Sequence, residues 1–236
     1  MALTQAQLLS KLAESRRRHP FGQFGTSDDE CTDNGALGCT HTVWRYIAFV
    51  YKGKWYSHDQ LTKLSGYPCG GGSTNRGMRI SESQRLVKNL GLPYVYKAHL
   101  TSGELLRASK LGPCLFAVRY ANWPNWAHYN GVTRPRPWAR PTDKAGRNQF
   151  SGFYGSHACC LLGYKRITTT KGTFVRNDAY VMEPNHDSPS RPENVAYDIV
   201  TQTQLNAAYR AVVTVLGWPA TMAFVPTRQP TFPGGL

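Results

Sequence analysis

Residues 34–53 read NGALGCTHTVWRYIAFVYKG, and the fold follows from how this stretch is taken. From Thr40 to Tyr51 the run THTVWRYIAFVY is strongly apolar and long enough for a helix, and Gly53 stops it. Cys39 stands just before that run. A helix N-terminus offers unpaired N–H groups and a partial positive charge. Both favour a thiolate over a thiol, and the thiolate is the nucleophile. The same N–H groups are placed to stabilise an oxyanion. A lone cysteine in this position is most simply a small buried residue at a helix start, so its meaning depends on its partners.

Two partners stand downstream. His157, in GSHACCLLGY, begins an apolar strand, which sets its ring at the end of a sheet. Glu183, in MEPNH, closes the strand AYVM, and Pro184 prevents the ladder from continuing. A carboxylate on the strand paired with the histidine strand can accept from the imidazole and hold its tautomer. Nucleophile, base and orienter are the three roles of thiol acyl transfer.

The surrounding segments read as alternating helices and strands. Thr4 and Gln7 have capping-box spacing, with Leu8, Leu9 and Leu12 on one face of the helix that follows and Arg16–Arg18 at its end. SHDQLTKLSG is a short helix capped by Ser57 and ended by Gly66, and ISESQRLVKNLG is an amphipathic helix closed by Gly91. PYVYKAHL reads as a strand, TSGELLRASKLG as a helix and PCLFAVRY as a buried strand. HACCLLGYKRI and TFVRNDAYVMEP form an antiparallel pair, and TQTQLNAAYRAVVTVLG is a helix. Residues 121–156, rich in Trp, Pro, Gly and Arg, show no periodicity and read as a long loop or insertion. Helices first, then strands, then a helix and a tail is an α+β pattern with an antiparallel sheet.

Composition bounds the remainder. The chain has 236 residues, 41% hydrophobic and 18% charged, which suits a folded core and argues against extended disorder. No apolar run approaches the ~20 residues of a membrane span. The opening MALTQAQLLSKLAESRRRHP is no signal peptide, since its basic cluster follows periodic apolar positions. Six cysteines occur without a CxxC pair, and Cys159 and Cys160 sit in an apolar run as core residues; most of the thiols read as reduced and buried. The net charge of +14 sets up a field that attracts anionic partners. The basic residues are scattered and accompany no nucleic-acid motif, which makes nucleic acid an unlikely partner. Cys31, Cys39 and His41 lack a fourth ligand for zinc, GGGSTNRG lacks the Lys-Ser/Thr of a phosphate loop, and Cys31 as nucleophile lacks a helix directly after it. His41 falls on a different helix face from Cys39 and reads as structural; His128, in NWAHYNG, is placed to line a cleft from the insertion.

In their order these motifs resemble the papain-like cysteine peptidases, in particular the branch containing the double-glycine leader peptidases of bacteriocin exporters. The carriers are Cys39 opening a helix that ends at Gly53, SHDQLTKLSG with a Gly-rich loop after it, NLGLPY, GPCLFAV, HACCLLGY and MEPN, over about residues 31–215. The resemblance implies a papain-like fold, N-terminal helices packed on a C-terminal antiparallel sheet, with no cofactor and no metal. It implies Cys39 as nucleophile, His157 as base and Glu183 as orienter. Asn185 is an alternative orienter, by similarity to Cys-His-Asn enzymes. Where the family usually has a Gln for the oxyanion, this chain has Asp33 and Asn34, of which Asn34 can donate an amide N–H. Thr40 replaces the usual Gly after the cysteine, and Glu183 the usual Asp. The expected function is hydrolysis of an amide bond in a peptide or a peptidoglycan cross-link. The alternative is a weak or inactive peptidase-fold structural protein of a virion or other multi-subunit assembly.

The expected organisation is an N-terminal helix and loop over 1–30, a peptidase domain over 31–225 with its insertion at 121–156, and a Pro-rich tail over 226–236. Trp123, Trp126, Trp138, Phe150, Phe153 and Tyr154 stand among arginines in the insertion, and aromatics mixed with arginine suit a protein interface. The insertion and the tail are therefore the expected contacts with other subunits, in a phage virion tail or otherwise in a cytoplasmic setting.

Overall fold

The computed structural model describes residues 3–18, 39–67, 77–119, 126–129, 132–135, 156–182 and 197–231. The elements run α1 (Gln5–Arg18), α2 (Cys39–Lys52), α3 (His58–Ser65), α4 (Ile80–Leu90), β1 (Tyr94–Ala98), α5 (Ser102–Ala108), β2 (Cys114–Arg119), β3 (Trp126–Tyr129), β4 (Val132–Pro135), β5 (Ser156–Thr168), β6 (Phe174–Met182), β7 (Asp198–Thr201), α6 (Gln202–Thr214) and β8 (Met222–Pro226).

Local chemistry sets the helix boundaries. Thr4 N–H donates to Gln7 Oε1 at 2.8 Å, and Gln7 N–H returns to Thr4 Oγ1 at 3.3 Å, closing the capping box ahead of α1. Ser57 and Gln60 do the same for α3. Gly66 and Gly91 end α3 and α4 in the left-handed conformation, at φ 67° and 56°, which a side chain resists.

Six strands form one sheet in the order β1-β8-β2-β5-β6-β7, every neighbouring pair antiparallel. One face packs against α1–α4. There Leu8, Leu12, Val43, Trp44, Ile47, Leu61, Leu86 and Leu90 meet Tyr94, Leu115, Cys160, Leu162 and Phe224 of the sheet. The other face carries α5 and α6, where Leu105, Leu205, Ala208 and Tyr209 cover Phe116, Val118, Cys159, Leu161 and Val181. The adjacent Cys159 and Cys160 thus point to opposite faces, as strand alternation requires. Each fully buried large apolar side chain contributes about 1.5–3 kcal/mol.

Helix α2 is the axis of the first layer. Every residue from Cys39 to Tyr51 is buried, the pattern of a helix enclosed on all sides. Its polar tips are satisfied outward. Tyr46 OH donates to Leu8 O at 2.9 Å, Trp44 Nε1 to Ser83 Oγ at 3.1 Å and Arg45 Nε to Tyr56 O at 3.0 Å. Among the described residues no helix is long and apolar enough to cross a membrane.

The α+β arrangement expected from the sequence, with N-terminal helices on an antiparallel sheet, is observed, and a second helical layer of α5 and α6 is added to it. Three features differ from the sequence reading. Within 121–156, read as a loop, β3 and β4 pair as a hairpin with Tyr129 opposite Val132. Asn130–Gly131 between them is a two-residue hairpin signal that the absence of longer periodicity conceals. The short strand β7 precedes α6 and takes the sheet edge beside β6. Strand β8 occupies the middle of the sheet, between β1 and β2, so the segment expected as a tail from 226 begins inside a strand. Beyond it Thr227 N–H donates to Pro93 O at 2.8 Å, and Arg228 O accepts from Tyr51 OH at 2.9 Å. Pro230 O accepts from Leu3 N–H at 3.2 Å. The segment thus lies along its own chain as far as the described residues extend. The aromatic and arginine side chains of the insertion lie outside the described residues, as do residues 232–236.

Candidate active site

Cys39 is the first residue of α2 and His157 the second of β5, where it pairs with Val118 of β2. Both side chains are buried, 8% and 2% exposed. Helix α2 lies across the face of the sheet to which Ala158 and Cys160 point, so its N-terminus reaches the start of β5. There the Cys39 sulfur comes within the influence of the His157 side chain and the Ala158 backbone, with the Thr40 hydroxyl 3.9 Å away.

The electrostatics of Cys39 set two opposing effects against each other. Burial pushes the thiol up. The hydrogen bond and positive charge of His157 pull it down, helped by Ala158 and the Thr40 hydroxyl, and leave it below its ordinary value. Two other buried cysteines serve as internal controls. Burial pushes Cys114 and Cys160 well up, with no histidine to oppose it. At comparable burial the outcomes are opposite, and His157 is the largest of the groups that lower Cys39. All four described cysteines, Cys39, Cys114, Cys159 and Cys160, are buried, whereas Cys31 and Cys69 lie outside the described residues.

The other expected members of the site, Glu183, Asn185 and Asn34, also lie outside the described residues. Strand β6 ends at Met182, opposite Cys160 of the histidine strand, and Glu183 is the next residue in the chain. The Gly-rich stretch 70–72 is likewise outside the described residues, and the side chain of His128, on β3, is not described. Among the described residues no group of three or more His, Cys, Asp or Glu is placed to hold a metal ion.

Two contributors to Cys39 were not legible beforehand. The Ala158 backbone contact depends on the register of β5 against the helix, which no local motif encodes. Thr40, noted only as a departure from glycine, places a hydroxyl beside the sulfur.

No family model matches this sequence, and no curated protein matches it. Among solved structures the chain is similar to that of a candidate C39-like peptidase from Bacillus anthracis. The two are 14% identical, with 82% of this chain and 90% of that chain covered and a TM-score of 0.45.

Proposed function

We propose that this protein is a thiol-dependent hydrolase of the papain-like type, cleaving an amide bond in a peptide or a peptidoglycan cross-link. The observation that carries the reading is the Cys39–His157 contact at a helix N-terminus, which lowers one buried thiol while two others are raised. In this reading the Cys39 thiolate attacks the carbonyl carbon and forms the C–S bond. The oxyanion is stabilised by N–H groups at the start of α2, with the Asn34 amide as a second donor, each interaction of this kind contributing about 3 kcal/mol. As the tetrahedral species collapses, the C–N bond breaks and the His157 imidazolium gives its proton to the leaving amine. His157 then takes a proton from water, the hydroxide attacks the thioester, and the thiolate departs as the acid product forms. Glu183 orients the imidazole, with Asn185 as the alternative.

The test is alkylation by iodoacetamide across pH 4–9, with modified cysteines mapped by mass spectrometry, beside a cleavage assay on peptide and peptidoglycan substrates. Cys39 is expected to be alkylated ahead of Cys114 and Cys160, with a midpoint below that of an ordinary thiol, and Cys39→Ala to abolish cleavage. Preferential alkylation of Cys31, with activity surviving in Cys39→Ala, moves the nucleophile to Cys31. Ordinary thiol behaviour at Cys39 with no cleavage of either substrate removes the enzymatic reading.

A further inference from the structure

Helices α2 and α3 are joined by two crossed contacts immediately below the nucleophile. His41 of α2 reaches across to α3, its Nε2 lying 3.1 Å from Thr62 Oγ1. His58 of α3 reaches back, its Nε2 lying 3.3 Å from Thr42 Oγ1 of α2. All four side chains are buried, His58 at 0% and His41 at 4% exposed. The two rings lie 5.6 Å apart, centroid to centroid, and Tyr67 closes edge-on against His41 at 5.1 Å.

Buried imidazoles and hydroxyls carry a desolvation penalty that an apolar pair would not, so a helix contact built from four of them is an expensive way to make a core. Hydrogen bonds, however, are directional in a way that apolar packing is not. A crossed pair fixes both the rotation and the axial position of one helix on the other. The contacts are made at the third and fourth residues of α2, within one turn of Cys39. A small rotation there displaces the sulfur from His157 and from the Ala158 backbone.

Burial, more than the charges around the ring, keeps His41 neutral. Burial and the Arg45 guanidinium one turn along α2 push it down to about 4, against the weaker opposite pull of Glu82 on α4. His41 Nδ1 has no hydrogen-bond partner among the described residues. A second proton would therefore be buried without an acceptor there.

We propose that His41–Thr62 and His58–Thr42 form a reciprocal clamp whose four side chains are positioning residues, holding the first turn of α2 so that Cys39 meets His157. The inference rests on the reading of Cys39 as the nucleophile. The clamp acts through the helix.

The experiment uses the full chain and the pH dependence of Cys39 alkylation by iodoacetamide, with thermal melting recorded in parallel. Thr62→Val and Thr42→Val each remove one hydroxyl at nearly constant shape, and Thr62→Ser and Thr42→Ser restore it. In each Val variant the alkylation midpoint of Cys39 is expected to rise by about one pH unit and the neutral-pH rate to fall about tenfold, with the Ser variants returning to wild type. Because the two bonds are separate, either Val variant suffices if the other fails to fold. Val variants that melt lower but keep the wild-type alkylation profile reduce the clamp to ordinary structural contacts and overturn the proposal. A wild-type Cys39 that titrates as an ordinary thiol overturns both the clamp and the nucleophile, so the two failures are told apart by the wild-type curve.

Discussion

The two faces of the sheet are built on different terms. The face under α5 and α6 is a mainly apolar core, in which Phe116 meets Tyr209 edge-on at 5.9 Å amid Leu105, Val118, Leu161, Val181 and Leu205. The face under α1–α4 buries an apolar layer too, but threads polar groups through it. Thr40, His41, Thr42, Arg45, His58, Thr62, Glu82 and Ser83 are all buried there. Desolvated polar groups cost stability unless they are paired, and a network of them is retained where geometry matters more than stability. The contrast separates a face that holds the fold together from a face that holds a thiol in place.

The largest effect expected from breaking this division is on the chemistry. His157→Gln keeps a polar side chain but removes the imidazole that lowers Cys39, and cleavage is expected to fall by at least about 10⁴-fold. The Cys39 alkylation midpoint rises in the same variant, to or above that of an ordinary thiol, because burial is then opposed only by Ala158 and Thr40. Cleavage kinetics and alkylation profiles measured together decide it. A variant that loses activity without a change in midpoint assigns His157 to proton transfer alone.

On the face under α5 and α6 the expected effect is on stability instead. Phe116, fully buried, leaves a cavity when changed to Ala, costing about 3–5 kcal/mol by denaturant unfolding. The Cys39 alkylation profile of the folded protein should not move. A shift there would mean that the two faces are coupled through β2, against the division drawn above.

A third expectation concerns acid. His41 holds its proton in the fold only below about 4, against 6.5 when free, so between those values the unfolded chain binds a proton that the folded chain does not. Its contribution is therefore complete above about pH 6.5 and is lost as pH falls toward 4, amounting to about 3 kcal/mol. Urea unfolding at pH 4.5 and 7 measures it. His41→Asn, which cannot titrate there, should flatten the slope over that range, and an unchanged slope assigns the acid sensitivity to other groups.

The smallest effect is at the cap of α6. Thr201 accepts from Gln204 N–H at 3.2 Å to begin α6, and Thr201→Ala is expected to cost about 1 kcal/mol with Cys39 reactivity untouched. Thermal melting with the alkylation assay as control checks it.

Much of this molecule could be read directly along the chain. The start of α2 at Cys39, the capping boxes at Thr4 and Ser57, and the stops at Gly66 and Gly91 were all legible, because caps and terminators act over three or four residues and carry their own chemistry. So was the pairing of β5 with β6, two neighbouring apolar strands joined by a turn. What only the tertiary structure decided is long-range. Strand β8, five residues ending in proline, pairs in the middle of the sheet with strands more than a hundred residues earlier, and a run that short has no period to announce it. In the sequence His41 reads as structural, and nothing local singles out His58. Their crossing with Thr62 and Thr42 exists only once α2 and α3 pack at one particular rotation. The contact between Cys39 and His157, separated by more than a hundred residues, has the same origin. Residue type nominated both from the sequence, but the helix had to be laid across the sheet before burial and a neighbouring imidazole could act on the same sulfur.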